Sequence, residues 1–173
     1  MQNLAYLSLG SNIGDRGAHL RDAIARLESL GQVKAVSSFY ETEPVEFTAQ
    51  DCFVNCAVLL ETSFSAPELM ARLLEIERSL GRERIRKKGP RTIDIDILLF
   101  GDLVVDSADL TIPHPAMAQR RFVLEPLAEI TPDVVHPGLQ RTARQLLDEL
   151  PLGQKVWKLC KTSPRSDDYD TGK

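Results

Sequence analysis

Asp94 and Asp96 stand two apart in Thr92-Ile93-Asp94-Ile95-Asp96-Ile97-Leu98-Leu99-Phe100, and the apolar residues alternating with them predict a strand. Side chains alternate across a strand, so Ile93, Ile95, Ile97 and Leu99 are expected on one face and the two aspartates on the other. Aspartate is depleted in strands, and two carboxylates about 6 to 7 Å apart on one face repel each other unless positive charge lies between them. A divalent cation meets that need, and hard carboxylate oxygens with room left for water and phosphate suit Mg²⁺. An isolated Asp-x-Asp is short and common, and on its own the pair favours a solvated strand face over a metal site.

The preceding segment adds weight to the metal reading. From Arg82 to Arg91 the chain carries six cations and one anion, although the whole protein has a formal net charge of −4. Guanidinium forks grip phosphate oxygens in pairs, and cations beside a metal-binding aspartate pair would seat a polyphosphate. A solvated charge run or a nucleic-acid contact would use the same residues, but the pI of 5.4 argues against general nucleic-acid binding. Asn55, among apolar neighbours in Phe53-Val54-Asn55-Cys56-Ala57, either satisfies nearby backbone or reads a polar ligand edge. Glu77 sits near a predicted helix C-terminus, where the dipole disfavours an anion, and is read as part of a solvated face or as a ligand contact. His114, held between Pro113 and Pro115, is either structural or a donor to phosphate.

These residues need a scaffold, and 173 residues with 43% hydrophobic and 27% charged content fit one domain with one core. That domain is expected over residues 1–160, with the polar, aperiodic stretch 161–173 as a loose tail. No long apolar run and no signal-peptide pattern at Met1-Gln2-Asn3 are seen, which predicts a cytoplasmic protein without membrane contact. Cys52, Cys56 and Cys160 match neither a zinc spacing nor Cys-x-x-Cys, and are read as reduced and structural.

Strands are expected at Leu4 to Leu9, Val33 to Tyr40 and Phe53 to Glu61, in addition to the aspartate strand. A helix runs through Leu20, Ala23, Ile24 and Leu27 to Leu30, with Gly31 as its C-terminal cap. Another starts at a capping box, Ser65-Ala66-Pro67-Glu68, and closes at Gly81. Residues 43–51 form a loop long enough to be a binding loop or lid. A helix from Phe122 to Ile130 and one capped by Thr142 complete the chain. The order β-α-β-β-α-β matches an α+β class, ferredoxin-like core, an antiparallel sheet packed with helices and carrying extra C-terminal helices.

In combination, Gly10-Ser11-Asn12, Ser38-Phe39-Tyr40-Glu41-Thr42, Phe53-Val54-Asn55, Gly81-Arg82-Glu83-Arg84, Gly89 through Leu98 and Pro113-His114 make the chain resemble the 6-hydroxymethyl-7,8-dihydropterin pyrophosphokinases of folate biosynthesis, from about residue 4 to about residue 150. The resemblance implies a monomer that moves the pyrophosphoryl group of ATP onto the hydroxymethyl oxygen of 6-hydroxymethyl-7,8-dihydropterin and releases AMP, with no nucleic-acid partner. By the same match, Asp94 and Asp96 would hold two Mg²⁺ ions while Arg82 and Arg91 neutralise the transferring group. ATP would meet Glu77, Arg84, Lys87, Arg91, Ile97, Thr111, His114 and Arg120. Phe53 and Phe122 would stack on the pterin, Asn55 would bond its polar edge, and Thr42 and Val45 would line the pocket. Phe53 replaces a tyrosine common in the family, Lys87 an arginine and Lys88 a tryptophan.

Overall fold

The structure, a computed structural model, describes residues 1–43, 52–81 and 92–159. Strand β1 (Asn3–Ser11) leads through a short loop to Asp15, whose carboxylate accepts the Ala18 N–H and starts α1 (Arg16–Leu27). α1 stops earlier than its apolar pattern suggests, with Glu28 rather than Gly31 as its cap. Gly31 serves another purpose: a Cβ there would collide with the Glu61 carbonyl, so only glycine lets the chain pass its neighbour so closely.

The single strand expected over 33–40 is two, β2 (Gln32–Val36) and β3 (Tyr40–Thr42). Both pair antiparallel with β4 (Phe53–Thr62), β3 against its first half and β2 against its second. Between them the Ser37 hydroxyl takes the Ala57 N–H at 2.8 Å, and the next amide, Ser38 N–H, leaves the sheet for the Glu129 carboxylate at 2.6 Å. Side chains substitute for ladder bonds there, so the strand breaks without leaving buried amides unpaired.

Helix α2 (Ala66–Ser79) carries the expected capping box of Ser65 and Glu68, and Gly81 follows at φ +84°, the left-handed conformation that ends a helix. Then come β5 (Asp94–Phe100), the hairpin β6 (Val105–Asp106) and β7 (Thr111–Ile112), a 3-10 turn at Met117–Gln119, and α3 (Arg121–Ile130), which accommodates Pro126. The hairpin β8 (Val135–His136) and β9 (Arg141–Thr142) leads to α4 (Ala143–Glu149), capped by Thr142 and Gln145, and the described chain closes with β10 (Val156–Lys158).

The main sheet runs β10-β3-β4-β1-β5, with β2 also on β4. With β2 and β3 taken as one broken strand, the order is fourth-first-third-second, the ferredoxin-like split βαβ arrangement. α1 and α2 cover one face through Leu7, Leu9, Leu20, Leu27, Leu60, Leu69 and Leu73, all fully buried. α3 and α4 cover the other through Leu98, Leu99, Leu124, Leu127 and Leu147. Leu99 thus lies opposite to the face expected from simple alternation. Leu7 pairs with Ile97 and Tyr6 with Leu99, so Leu98 is an extra residue, a β-bulge that turns Leu98 and Leu99 to the same side. Among the described residues no helix is long and apolar enough to cross a membrane.

Candidate active site

Pairing register aligns one row of residues across four strands: Tyr40 opposite Asn55, Asn55 opposite Gly10, and Gly10 opposite Asp94. The next row on this face is Ala57, Ser8 and Asp96. Directly opposed residues share a face, so Asn55 and both aspartates project to the side that carries α3. Two strand spacings, about 10 Å, separate Asn55 from Asp94, and β1 puts only Gly10 and Ser8 between them. The result is a shallow floor with an amide at one end and two half-buried carboxylates at the other.

The amide end is fixed. Asn55 is 4% exposed and its Nδ2 donates to the Thr42 hydroxyl at 2.9 Å. An amide carries two N–H groups and a carbonyl acceptor, so one donor is committed while Asn55 keeps a donor and acceptor side by side. Gly10 makes this possible, since a Cβ there would stand 2.6 Å from Asn55 Oδ1. That Cβ would lie 3.6 Å from Phe53 Cδ1, so the Phe53 ring borders the same floor.

At the carboxylate end, β5 is an edge strand, and other parts of the chain satisfy its outer side. Glu77 is 2% exposed, which corrects the solvated-face reading, and its Oε1 accepts the Ile95 N–H at 2.8 Å. This bond holds the backbone between the two aspartates. Beyond the cis Ile112-Pro113 peptide, the His114 N–H donates to the Leu98 carbonyl at 2.9 Å. The Ala116 N–H donates to His114 Nδ1 at 3.2 Å, which puts the proton of the neutral imidazole on Nε2 and leaves Nε2–H as its donor. Burial pulls the His114 pKa down, the Arg120 guanidinium adds to the effect, and Asp94 opposes both. Arg120 lies over the Phe122 ring, 5.5 Å from its centroid, tying a cation to the second predicted aromatic.

Thus β3, β4, β5 and the segment from β7 to α3 bring together Thr42, Phe53, Asn55, Asp94, Asp96, His114, Arg120 and Phe122 around one face. Thr111 stands on β7, opposite Asp106. Ile97 is the exception: its side chain is 2% exposed within the core under α1 and α2, so only its backbone could meet a ligand on the aspartate side. Val45, Arg82, Arg84, Lys87 and Arg91 lie outside the described residues, as do the 43–51 loop beyond Glu43 and the expected tail.

The donor set fits Mg²⁺. Asp94 and Asp96 offer hard oxygens from one strand face, and among the described residues no cluster of three or more His, Cys, Asp and Glu side chains forms a closed cage. An ion held by two carboxylates and completing its shell with water and phosphate is the usual situation for magnesium. Sequence reasoning missed the support behind the amide end. Glu129 of α3 accepts from the Ser38 N–H and the Tyr40 hydroxyl, both at 2.6 Å, and pairs with Lys158 of β10 at 3.3 Å. Burial pushes the Glu129 carboxyl up, but these bonds outweigh it and hold the pKa down at about 2. No local pattern could have revealed a cluster whose members lie about ninety residues apart.

Residues 6–132 match the family model described as 7,8-dihydro-6-hydroxymethylpterin-pyrophosphokinase (HPPK). The chain belongs to this family. Its HPPK region runs from β1 through α3 and so contains the whole floor. The chain is 45% identical over 160 residues to a 2-amino-4-hydroxy-6-hydroxymethyldihydropteridine pyrophosphokinase of Bacillus subtilis, covering 91% of this chain and 92% of that protein. It is 38% identical over 154 residues to a folic acid synthesis protein of Dictyostelium discoideum, covering 89% of this chain but 23% of the relative, so it spans less than a quarter of that protein. Among solved structures, Plasmodium falciparum HPPK-DHPS with pteroate aligns with a TM-score of 0.70 at 17% identity, over 86% of this chain and 42% of that one. This last likeness concerns the fold.

Proposed function

We propose that this protein transfers the pyrophosphoryl group of ATP to the hydroxymethyl group of 6-hydroxymethyl-7,8-dihydropterin, giving AMP and the pterin diphosphate used in folate synthesis. The observation that carries the reading is the floor itself: an oriented amide about 10 Å from a carboxylate pair, with HPPK kinship over the elements that build it. In the reaction the hydroxymethyl oxygen forms a bond to the β-phosphorus of ATP, the bond from that phosphorus to the α-phosphate oxygen breaks, AMP leaves and the hydroxyl proton is released. Phosphoryl transfer needs placement and charge neutralisation more than covalent help from the protein.

Each residue has a part in that placement. Asn55 presents its remaining donor and acceptor to the polar edge of the pterin, with Thr42 fixing the amide and Val45 lining the same pocket. Phe53 and Phe122 take the flat faces of the ring system, and stacking contributes about 0.5–1.5 kcal/mol beyond burial. Asp94 and Asp96 would hold two Mg²⁺ ions, which when bound would supply neutralisation of charge developing on the phosphates. His114 donates through Nε2–H to a phosphate oxygen, and Arg120 adds charge while packing on Phe122. Arg82 and Arg91 neutralise the transferring group. Glu77, Arg84, Lys87, Ile97 and Thr111 complete the nucleotide side, Ile97 through its backbone.

AMP release from ATP and Mg²⁺, measured with and without 6-hydroxymethyl-7,8-dihydropterin, tests the reading. Formation of AMP only with the pterin, lost in Asp96→Ala, is the expected result. Absence of AMP from the wild type would overturn the activity, whereas a fully active Asp96→Ala would overturn the role of Asp96 alone.

A further inference from the structure

Arg16, the first residue of α1, is 6% exposed although it is charged and lies outside every role assigned above. Arginine is rarely buried without partners. Its Nη1 donates to the Cys52 carbonyl at 2.6 Å and reaches Glu41 Oε1 at 3.4 Å. Glu41 lies in β3 immediately before Thr42, and Cys52 lies immediately before β4 and Phe53. Thr42 and Phe53 are the last pair of the β3–β4 ladder. The guanidinium therefore staples the two strands at the point where they part. The loop leading to Arg16 also leaves β1 next to Gly10, the residue over which the Asn55 amide lies. Three chain segments that build the amide end of the floor thus converge on one buried cation.

We propose that Arg16 is a positioning residue for pterin selectivity: by holding the ends of β3 and β4 together it keeps the Thr42 hydroxyl in place to orient the Asn55 amide. This inference rests on the pterin reading of the floor. The Thr42–Asn55 bond joins the two strands one step inside the staple, and an amide that loses its orienting partner can rotate and present the wrong sequence of donor and acceptor. A hydrogen bond from a charged donor to a carbonyl is stronger than a neutral one, and the shorter distance to Cys52 makes that carbonyl the principal anchor. The carboxylate end, built on β5 two strands away, does not depend on Arg16 through any of these bonds.

The test is ligand binding by Arg16→Met, Arg16→Lys and Glu41→Gln. 6-Hydroxymethylpterin fluorescence is followed with a non-hydrolysable ATP analogue and Mg²⁺ present, and binding of the analogue with Mg²⁺ is measured alone. Trp157, the single tryptophan and the partner of Glu41 in the β10–β3 ladder, reports on the position of β3. Arg16→Met is expected to weaken pterin binding by about tenfold or more, to change nucleotide affinity by less than twofold and to shift Trp157 emission. Arg16→Lys should move in the same direction by less, and it carries the test if the methionine variant does not fold. Glu41→Gln, which leaves the Cys52 anchor, should weaken pterin binding by less than threefold. Equal loss of both ligands would assign Arg16 to general stability, and unchanged pterin binding would remove its role. If the wild type itself takes up no pterin, the proposed activity falls, and this assignment falls with it.

Discussion

A methyl group on Gly10 would lie 2.6 Å from Asn55 Oδ1, closer than a carbon and an oxygen can rest, so either the amide or β1 must move. The amide is the softer of the two, because β1 is paired on both sides. Gly10→Ala is therefore expected to break the Asn55–Thr42 bond, lowering kcat/KM for the pterin by about tenfold or more while the KM for ATP stays within twofold. Steady-state kinetics with each substrate varied in turn checks this, and a parallel rise in both KM values would show that β1 had shifted instead. Residues of this kind mark the limit of sequence reading. That Asp94 and Asp96 share one strand face was legible because a two-residue period is a local signal, and Asn55 stood out because it interrupts an apolar strand. Gly10 reads in sequence as one residue of a turn-rich motif, whereas its steric task is set by Asn55, forty-five positions away and adjacent only through strand pairing. The proton position on His114 was likewise illegible, since it depends on which atom the Ala116 amide meets.

β5 combines two demands, burial of Ile95 and Ile97 on one side and presentation of two carboxylates on the other, and its outer edge carries no other strand among the described residues. Glu77 satisfies that edge at Ile95, from a helix that starts with a capping box. Glu77→Ala leaves the Ile95 N–H without this acceptor and should cost about 1–3 kcal/mol in urea unfolding, while Glu77→Gln keeps an acceptor and should cost less. If the glutamine variant is as unstable as the alanine one, the carboxylate charge matters more than the bond to Ile95. Ser65→Ala at the start of the same helix removes the acceptor of the Glu68 N–H and is expected to cost about 1 kcal/mol, measured in the same way. The capping box at Ser65 and the cap at Thr142 were legible because such signals lie within one turn, while the Gln145 half of the Thr142 box was not read. The broken second strand, the bulge at Leu98 and the existence of β10 were not, because each is decided by bonds to distant elements: Ser37 to Ala57, Leu98 to the His114 segment, and Leu159 to Phe39.

At the scale of the molecule, both helical layers add polar bonds to their apolar contact with the sheet. On one side Arg16 of α1 donates to the Cys52 carbonyl and Glu77 of α2 accepts the Ile95 N–H; on the other, α3 adds a polar lock, Glu129, which joins it to Tyr40 of β3 and Lys158 of β10. This lock makes stability depend on pH from both directions. The folded Glu129 pKa is held at about 2, below the ordinary 4.5, so the unfolded chain binds a proton first on acidification. The stabilisation from this group is complete above about pH 4.5 and is lost as pH falls toward 2. Tyr40 has the opposite sign: burial, then its bond to Glu129 and the charge of that carboxylate, push its pKa above 10.0, so its contribution is complete below pH 10 and fades as pH rises beyond it. His114, buried and next to Arg120, is pulled below 6.5 and adds a separate loss on acidification below that value. Urea unfolding of the wild type and Glu129→Gln at pH 3, 5, 7 and 10.5 separates these terms. The variant is expected to be less stable at pH 5 and 7 by a constant margin, since His114 titrates equally in both proteins, and the margin should shrink at pH 3. At pH 10.5 the wild type should lose more than the variant, because the charge that opposes Tyr40 ionisation is gone from the latter. A margin that stays unchanged from pH 7 to pH 3 would mean that Glu129 does not bind α3 to the sheet through its charge, and the lock would have to be credited to packing.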